Sequence, residues 1–410
     1  MTRPLSSLPA SAPPACHIIN LQPALGGAEV YTMFFARAIA QTGCATSLYI
    51  RRGVRLWDHL PQHQIRLVEV EQDTDIPGHL EGRSWLVTHA PVTEAFVQAV
   101  RGKHRLTGFC HMPLAGRKAG VLAQYDLVYG VSRYVLSTLG PAGIKTIYPE
   151  PMYGVAEFER GETGEALEPL MRGITTQWDQ RKIRDRLLSH IAPSLMAMRP
   201  SRQFERLQGT TLGIVSNIGP IKQFDRLFGI IAPIMARRAE VRLEVFGNGG
   251  YRSVTDFRRS LGPMRERTRF WGQQSAPQRI YPNLDYLLSG LPEKEALGLN
   301  IIEAQLSNTP VLAVNAQPFT ETVLDNVTGL LYPDPRSDGG AGFERVLARA
   351  IDGPPLKPTS TPAGQSHLQR FSMVEFGERV GRLVEHAREQ FLRSDSPSDA
   401  ALTRLVEANG

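Results

Sequence analysis

Short runs of β-branched and aromatic residues alternate with longer stretches of helical periodicity along most of the chain. CHIIN (16–20) predicts a first strand, a Gly-Gly turn follows, and AEVYTMFFARAIAQTG predicts a helix. TSLYI, IRLVEVE, SWLVTH, LTGFCH, DLVYGV and IKTIY are further strand candidates, with helical patterns between several of them. A second series opens at TLGIVSN (211–217) and runs through RLEVFG, TRFWG, LDYLLS, TPVLAV and GLLYP. Strands separated by helices in this way build parallel sheets covered on their faces. The pattern therefore predicts an α/β protein with two doubly wound halves in tandem. Ligands of such sheets bind beyond the carboxyl ends of the strands, and two facing domains would hold one in the cleft between them.

The same pattern suggests boundaries. Residues 1–15, rich in Pro, Ser and Ala, form a disordered lead-in, and 16–155 a first Rossmann-like domain. Residues 156–208 form a basic helical linker, 209–370 a second Rossmann-like domain, 371–393 a closing helix and 394–410 a flexible tail. Arg181, Lys182, Arg184, Arg186, Arg199 and Arg202 make the linker basic, beside apolar Leu187, Leu188, Leu195 and Met196. Two readings stand for it: a helical connection packed on the first half, or a surface that meets anionic lipid or an anionic acceptor.

Composition narrows the function classes. A chain of 410 residues with 42% hydrophobic and 21% charged residues is that of a soluble globular protein of two domains. No apolar run approaches the roughly 18 residues of a membrane span, and the lead-in lacks the apolar core of a signal peptide. The expected location is cytoplasmic, with peripheral attachment to the inner face of the plasma membrane as an extension of the basic surface. The net charge of +6 suits phosphate-bearing ligands or an anionic membrane surface. No nucleic-acid motif occurs in its required context. Cys16, Cys44 and Cys110 have neither zinc nor redox spacing.

Candidate chemistry gathers in three places. EALGLNIIEA (295–304) sets Glu295 in a loop, Gly298 near a helix N-terminus and Glu303 more than one turn into that helix. Free N–H groups and the helix dipole favour a phosphate there. A carboxylate on either side could accept hydrogen bonds from the hydroxyls of a sugar and of a ribose. Spacing alone leaves this open to the plain reading of two solvated glutamates. In LGIVSNIGPIK, Lys222 stands at a helix start after a strand, placed to neutralise a leaving diphosphate or simply to face solvent. Gly26 and Gly27 lie between the first strand and first helix, where backbone can approach a ligand or merely turn. Asp73-Thr74-Asp75 has a metal–diphosphate spacing and is read as a solvated loop.

Together these pieces resemble the retaining glycosyltransferases of family 4, with the GT-B fold. EALGLNIIEA resembles that family's E-x7-E signature, and LQPALGGAEVY its opening Gly-Gly-x-Glu loop. PFTETVLDNVTGLLYPD, with Glu321, resembles the segment after the signature, and DLVYGVSRYVLSTLGPAGIKTIYPEPMYGV the end of the N-terminal domain. The resemblance implies that Glu295 contacts the donor sugar, Glu303 the ribose, Lys222 the diphosphate, and the backbone at Gly298 and Leu299 the sugar or phosphate. It implies a donor-facing histidine, His111 in LTGFCHMPL, with His89 in LVTHAP as runner-up. It implies a UDP- or GDP-sugar donor, a glycan or lipid-linked acceptor bound by the first domain, and no metal or other cofactor. One departure stands out: Asn217 occupies the place of the family's arginine, and Gln223 that of its glycine. A non-catalytic nucleotide-sugar-binding or partner-stabilising protein of the same fold is the alternative.

Overall fold

The computed structural model describes residues 15–394 apart from 24–25, 59, 61–63, 157–169, 179–182, 184–185, 187–188, 191–201 and 275. The lead-in, the tail and most of the linker, including Arg181, Lys182, Arg184, Leu187, Leu188, Leu195, Met196 and Arg199, fall outside the described residues. The chain divides into two compact units. The first comprises residues 1–131, 135–155 and 373–410, and the second 132–134 and 156–372.

The first unit is built on six strands: β1 (Cys16–Ile19), β2 (Thr46–Arg51), β3 (Ile65–Val70), β4 (Trp85–Thr88), β5 (Arg105–Cys110) and β6 (Leu127–Gly130). All pair in parallel in the order β3-β2-β1-β4-β5-β6. Every residue of central β4 is buried, as expected of a parallel strand covered on both faces, and so is every residue of β6 at the sheet's edge. The helix Met373–Ser394 returns to this unit. It buries Phe376, Val380, Leu383, Val384 and Ala387 along one helical face.

In the second unit the main strands are β8 (Thr210–Val215), β9 (Val241–Phe246), β11 (Thr268–Gly272), β12 (Tyr286–Leu288), β13 (Val311–Val314) and β14 (Gly329–Tyr332). Their order is β11-β9-β8-β12-β13-β14, again all parallel. Both sheets thus have the Rossmann order 3-2-1-4-5-6. The helix Phe224–Ala236 buries Phe224, Leu227, Phe228, Ile231 and Met235, the spacing that its sequence pattern predicts.

Three expectations change. IKTIY forms no strand; it contributes a bridge between Ile147 and Val128, and Pro149 and Pro151 beyond it lack the N–H that a ladder needs. The described part of the basic segment packs on the second unit, not the first, and is extended where it meets the sheet. Its strand β7 (Thr176–Gln177) pairs with β10 (Gly249–Gly250), and Phe204 packs against Trp271 at 5.2 Å. Asp73 is buried rather than solvated. It accepts hydrogen bonds from Thr93 N and from Thr93 Oγ1 at 2.9 Å, while Asp75 accepts from Gln72 N at 3.1 Å. Asp73 thus ties its loop to the start of the helix Glu94–Val100, while Asp75 holds its own turn. The three cysteines are buried free thiols, and no described helix is long and apolar enough to cross a membrane.

Candidate active site

In a sheet of this order, the connections leaving the strands numbered one and four run to opposite sides and leave a crevice at the carboxyl ends of those strands. In the second unit those strands are β8 and β12, which pair directly. The loop after β8 carries Asn217 and Lys222; the loop after β12 carries Glu295 and Gly298. Lys222 Nζ donates to Glu295 Oε2, and the two side chains are only 18% and 12% exposed. The backbone holds the loops together as well. Leu291 N donates to the Lys222 carbonyl at 3.1 Å, and a Cβ on Gly290 would collide with that oxygen. Gln223, at the left-handed φ of 51°, donates from Nε2 to Glu293 at 3.0 Å. Glu293 in turn pairs with Arg336.

Gly298 caps the helix Leu299–Leu306 at φ 85°, ψ 61°, a conformation that disfavours a side chain. The first intrahelical bond is Ile301 N to Gly298 O at 2.9 Å, so the N–H groups of Leu299 and Asn300 precede the ladder. Asn300 Nδ2 ties the helix to the end of β8 by donating to Val215 O at 3.0 Å. Glu303 is partly buried and accepts from the Tyr281 hydroxyl at 2.7 Å. Burial pushes its carboxyl above the usual range, opposed by the Tyr281 hydrogen bond and the positive Lys222. Asn217 is exposed and uncharged, so Lys222 is the cation that the β8 loop supplies.

Residues 132–134 group with this unit. Ser132 Oγ donates to Ala296 O at 2.6 Å, and Tyr134 OH to Glu293 O at 3.0 Å. Glu321 accepts from Arg133 N at 2.9 Å and Tyr134 N at 2.8 Å.

The first unit positions the remaining predicted residues. Gly26 precedes the helix Gly27–Gln41, whose first turn carries buried Glu29. Asn20, just after β1, donates to Thr32 Oγ1 at 2.9 Å and to Glu29 Oε1 at 3.5 Å. His89 follows β4 and His111 follows β5, and the two meet: His89 Nδ1 lies 3.2 Å from His111 Nε2. His89 stacks on Phe109 at 4.6 Å and packs on Phe35 at 4.9 Å. Burial holds the His111 ring down to about 4, and burial followed by the neighbouring His111 holds His89 well below its ordinary value. Both rings are neutral near pH 7, so one nitrogen of the pair donates and the other accepts. Among the described residues, His89 Nε2 is buried without a partner. An orphaned N–H is rarer than an orphaned acceptor, which favours His89 Nδ1–H donating to His111 Nε2. His111 then carries its own proton on Nδ1.

Residues 209–347, the half that holds Lys222, Glu295 and Glu303, match the family model of the glycosyl transferases group 1. A curated relative is the GDP-mannose-dependent monoacylated alpha-(1-6)-phosphatidylinositol monomannoside mannosyltransferase of Corynebacterium glutamicum. It is 25% identical over 179 residues, which are 42% of this chain and 45% of that protein. The matched stretch therefore spans under half the length of that relative. Among solved structures, Anabaena HepE in complex with UDP aligns with TM-score 0.61 and 14% identity, covering 91% of this chain and 100% of that one. The fold is GT-B. The apo lipopolysaccharide outer core galactosyltransferase WaaB shares this GT-B fold, with TM-score 0.61, 15% identity and coverage of 91% and 99%.

The structure thus brings Lys222, Glu295, Gly298 and Glu303 into one GT-B half, and Gly26, Gly27, His89 and His111 into the other. Sequence reasoning missed Tyr281, Ser132 and the Gln223–Glu293–Arg336 chain. Tyr281 lies 22 residues before its partner, in a turn that no periodicity marks.

Proposed function

We propose that the protein is a nucleotide-sugar-dependent, retaining glycosyltransferase. The observation that carries this reading is the Lys222–Glu295 pair at the β8/β12 crevice beside the Gly298-capped helix. An ammonium has three donors, so Lys222 can keep Glu295 while meeting a diphosphate oxygen. The helix start adds backbone N–H groups and a positive dipole end. In transfer, the bond from the anomeric carbon to the phosphate oxygen breaks and the acceptor oxygen bonds to the same face. The acceptor proton passes to the leaving phosphate. Charge develops on the diphosphate, where Lys222 and the N–H groups are already oriented, and preorganised donors of this kind contribute about 3–4 kcal/mol each. Glu295 serves the sugar hydroxyls, the backbone at Leu299 the phosphate or sugar, and Glu303 the ribose. Neutral His111 serves the transferred sugar as a hydrogen-bonding group rather than a cation.

The donor is a UDP- or GDP-sugar, in keeping with the UDP of HepE and the GDP-mannose of the C. glutamicum relative. The acceptor is a hydroxyl of a glycan or glycolipid, which fits a role in surface polysaccharide or lipopolysaccharide assembly on the inner face of the plasma membrane. The chemistry proceeds without a metal, its counter-charge supplied by Lys222 and the helix N-terminus. Exposed Asn217 favours a second reading, a nucleotide-sugar-binding protein without turnover.

The test is a thermal-shift screen of nucleoside diphosphates and nucleotide sugars, followed by donor hydrolysis with and without chelator. The transferase reading expects a shift, release of nucleoside diphosphate that chelator leaves intact, and a fall of about 100-fold or more in Lys222→Ala and Glu295→Gln. A shift without any release supports the binding-only reading. Wild-type release in both variants would overturn the site.

A further inference from the structure

A second cationic site lies in the same unit, away from the β8/β12 loops. A cavity of about 260 Å³ is lined by Arg172, Arg202, Arg258, Arg265 and Arg269 against Phe270. It sits at the edge strand β11, toward its amino end. Four separate stretches converge on it. Arg258 comes from the helix Tyr251–Ser260, Arg265 from the 3-10 turn Gly262–Arg267 and Arg269 from β11. Arg172 and Arg202 come from the segment that the sequence marks as basic, joined by Arg172 N donating to Arg202 O at 2.9 Å. The crevice for the nucleotide sugar opens instead at the carboxyl ends of the strands.

Among the described residues, no aspartate or glutamate lines this cavity. Arg269 is neutralised by Glu244, with Nη2 to Oε1 at 2.6 Å and Nε to Oε1 at 2.8 Å. The Arg258 guanidinium lies 4.4 Å from the centre of the Phe270 ring, which fixes its plane. Arg172, Arg202 and Arg265 have no carboxylate partner among the described residues. Other arginines of this unit do have carboxylate partners, as in Arg206–Asp285 and Arg238–Asp352. Unpaired like charges confined in one concavity repel, and an anion relieves that repulsion. A single carboxylate would leave most of the charge standing. A phosphate monoester carries about −1.5 to −2 at neutral pH, so two phosphate groups suffice to match the guanidinium groups of Arg172, Arg202 and Arg265. The guanidinium fork fits phosphate oxygens in bidentate fashion.

We infer that this arginine cavity binds a ligand with two clustered phosphate groups, at a site separate from that of the nucleotide sugar. The phosphates come either from a soluble diphosphate compound or from the headgroup of a membrane lipid. Calorimetric titration of the full chain with inorganic pyrophosphate addresses the first source. Flotation with phosphatidylcholine vesicles, with and without a bisphosphorylated phosphatidylinositol, addresses the second. Arg202→Ser combined with Arg265→Ser tests the cavity, because both side chains are exposed and unpaired and their loss leaves the packing intact. The inference expects binding that weakens as salt rises, falls at least tenfold in the double variant, and persists in Lys222→Ala. Persistence in Lys222→Ala separates this site from the proposed donor site, so either assignment can fail alone. Pyrophosphate binding alone identifies the soluble source, and vesicle binding alone the lipid. Wild-type affinity in the double variant, or no binding to either probe, overturns the inference.

Discussion

Replacing His111 by glutamine should flatten the acid limb of the first unit's stability curve. An unfolded histidine titrates near 6.5, whereas burial holds folded His111 down to about 4. The folded value is the lower one, so the unfolded state takes up the proton first as pH falls. The stability linked to this ring is complete above the unfolded pKa. It is lost as pH drops through the window between the two values and is gone below the folded one. Between about pH 7.5 and about pH 5, the linkage relation gives a loss of about 2 kcal/mol for His111 alone, rising to about 3 kcal/mol below pH 4. That is a large share of the roughly 5–15 kcal/mol that stabilises a typical domain. His89 titrates in the same direction, so the wild-type loss exceeds this figure. Amide exchange read by mass spectrometry over Trp85–Thr88 and Arg105–Cys110 isolates the first unit from the second. Subtracting the variant's pH dependence from that of the wild type cancels groups far from the ring. A difference of about 2 kcal/mol between the two pH values is expected. Parallel curves for wild type and His111→Gln would refute the picture of a neutral, buried ring.

Three other substitutions probe the second unit and the D-x-D turn. Tyr281→Phe removes the hydrogen bond that favours the Glu303 carboxylate, leaving burial to push its carboxyl further up. Nucleoside diphosphate affinity, followed by calorimetry as pH is lowered, should then begin to fall at a higher pH than in the wild type; superimposable curves would count against a carboxylate role for Glu303. Gly290→Ala forces a methyl into the Lys222 carbonyl and should lower stability by about 1–3 kcal/mol, together with diphosphate affinity; a wild-type melting temperature would contradict the close approach. Asp73→Asn should destabilise the first unit by about 1–3 kcal/mol, since the two Thr93 donors meet different carboxylate oxygens and an amide puts an NH2 in place of one of them. Release of nucleoside diphosphate by this variant, with or without added divalent cation, should match the wild type at a temperature where both are folded.

Elements with strong local signals were legible before any coordinates. Both sheets, the glycine-capped helix and the loop positions of Lys222 and Glu295 follow from alternation, helix starts and turn residues. Apart from IKTIY, whose cause is local, the exceptions depend on partners distant in sequence. IKTIY has the composition of a strand, yet the prolines after it deny the ladder its donors. The basic segment reads as a helical linker, and residues 183, 186 and 189–190 are helical, but Thr176–Gln177 are extended and pair with Gly249 and Gly250, more than 70 residues on. Asp73 reads as solvated until Thr93, 20 residues on, supplies its two donors. His111 and His89 were weighed as rivals, because spacing along the chain does not reveal that β4 and β5 are neighbours whose following residues touch.

The stitching of Leu291 N to the Lys222 carbonyl has a practical side for anyone reshaping the proposed donor site. The residues after β12 and those after β8 behave as one machined part. A grafted 290–298 loop from another protein would have to set its own N–H against the Lys222 carbonyl and its own carboxylate against the Lys222 ammonium, contacts for which its backbone was not shaped. Exchange of donor chemistry should therefore succeed when residues 217–223 travel with that loop and fail when either is moved alone.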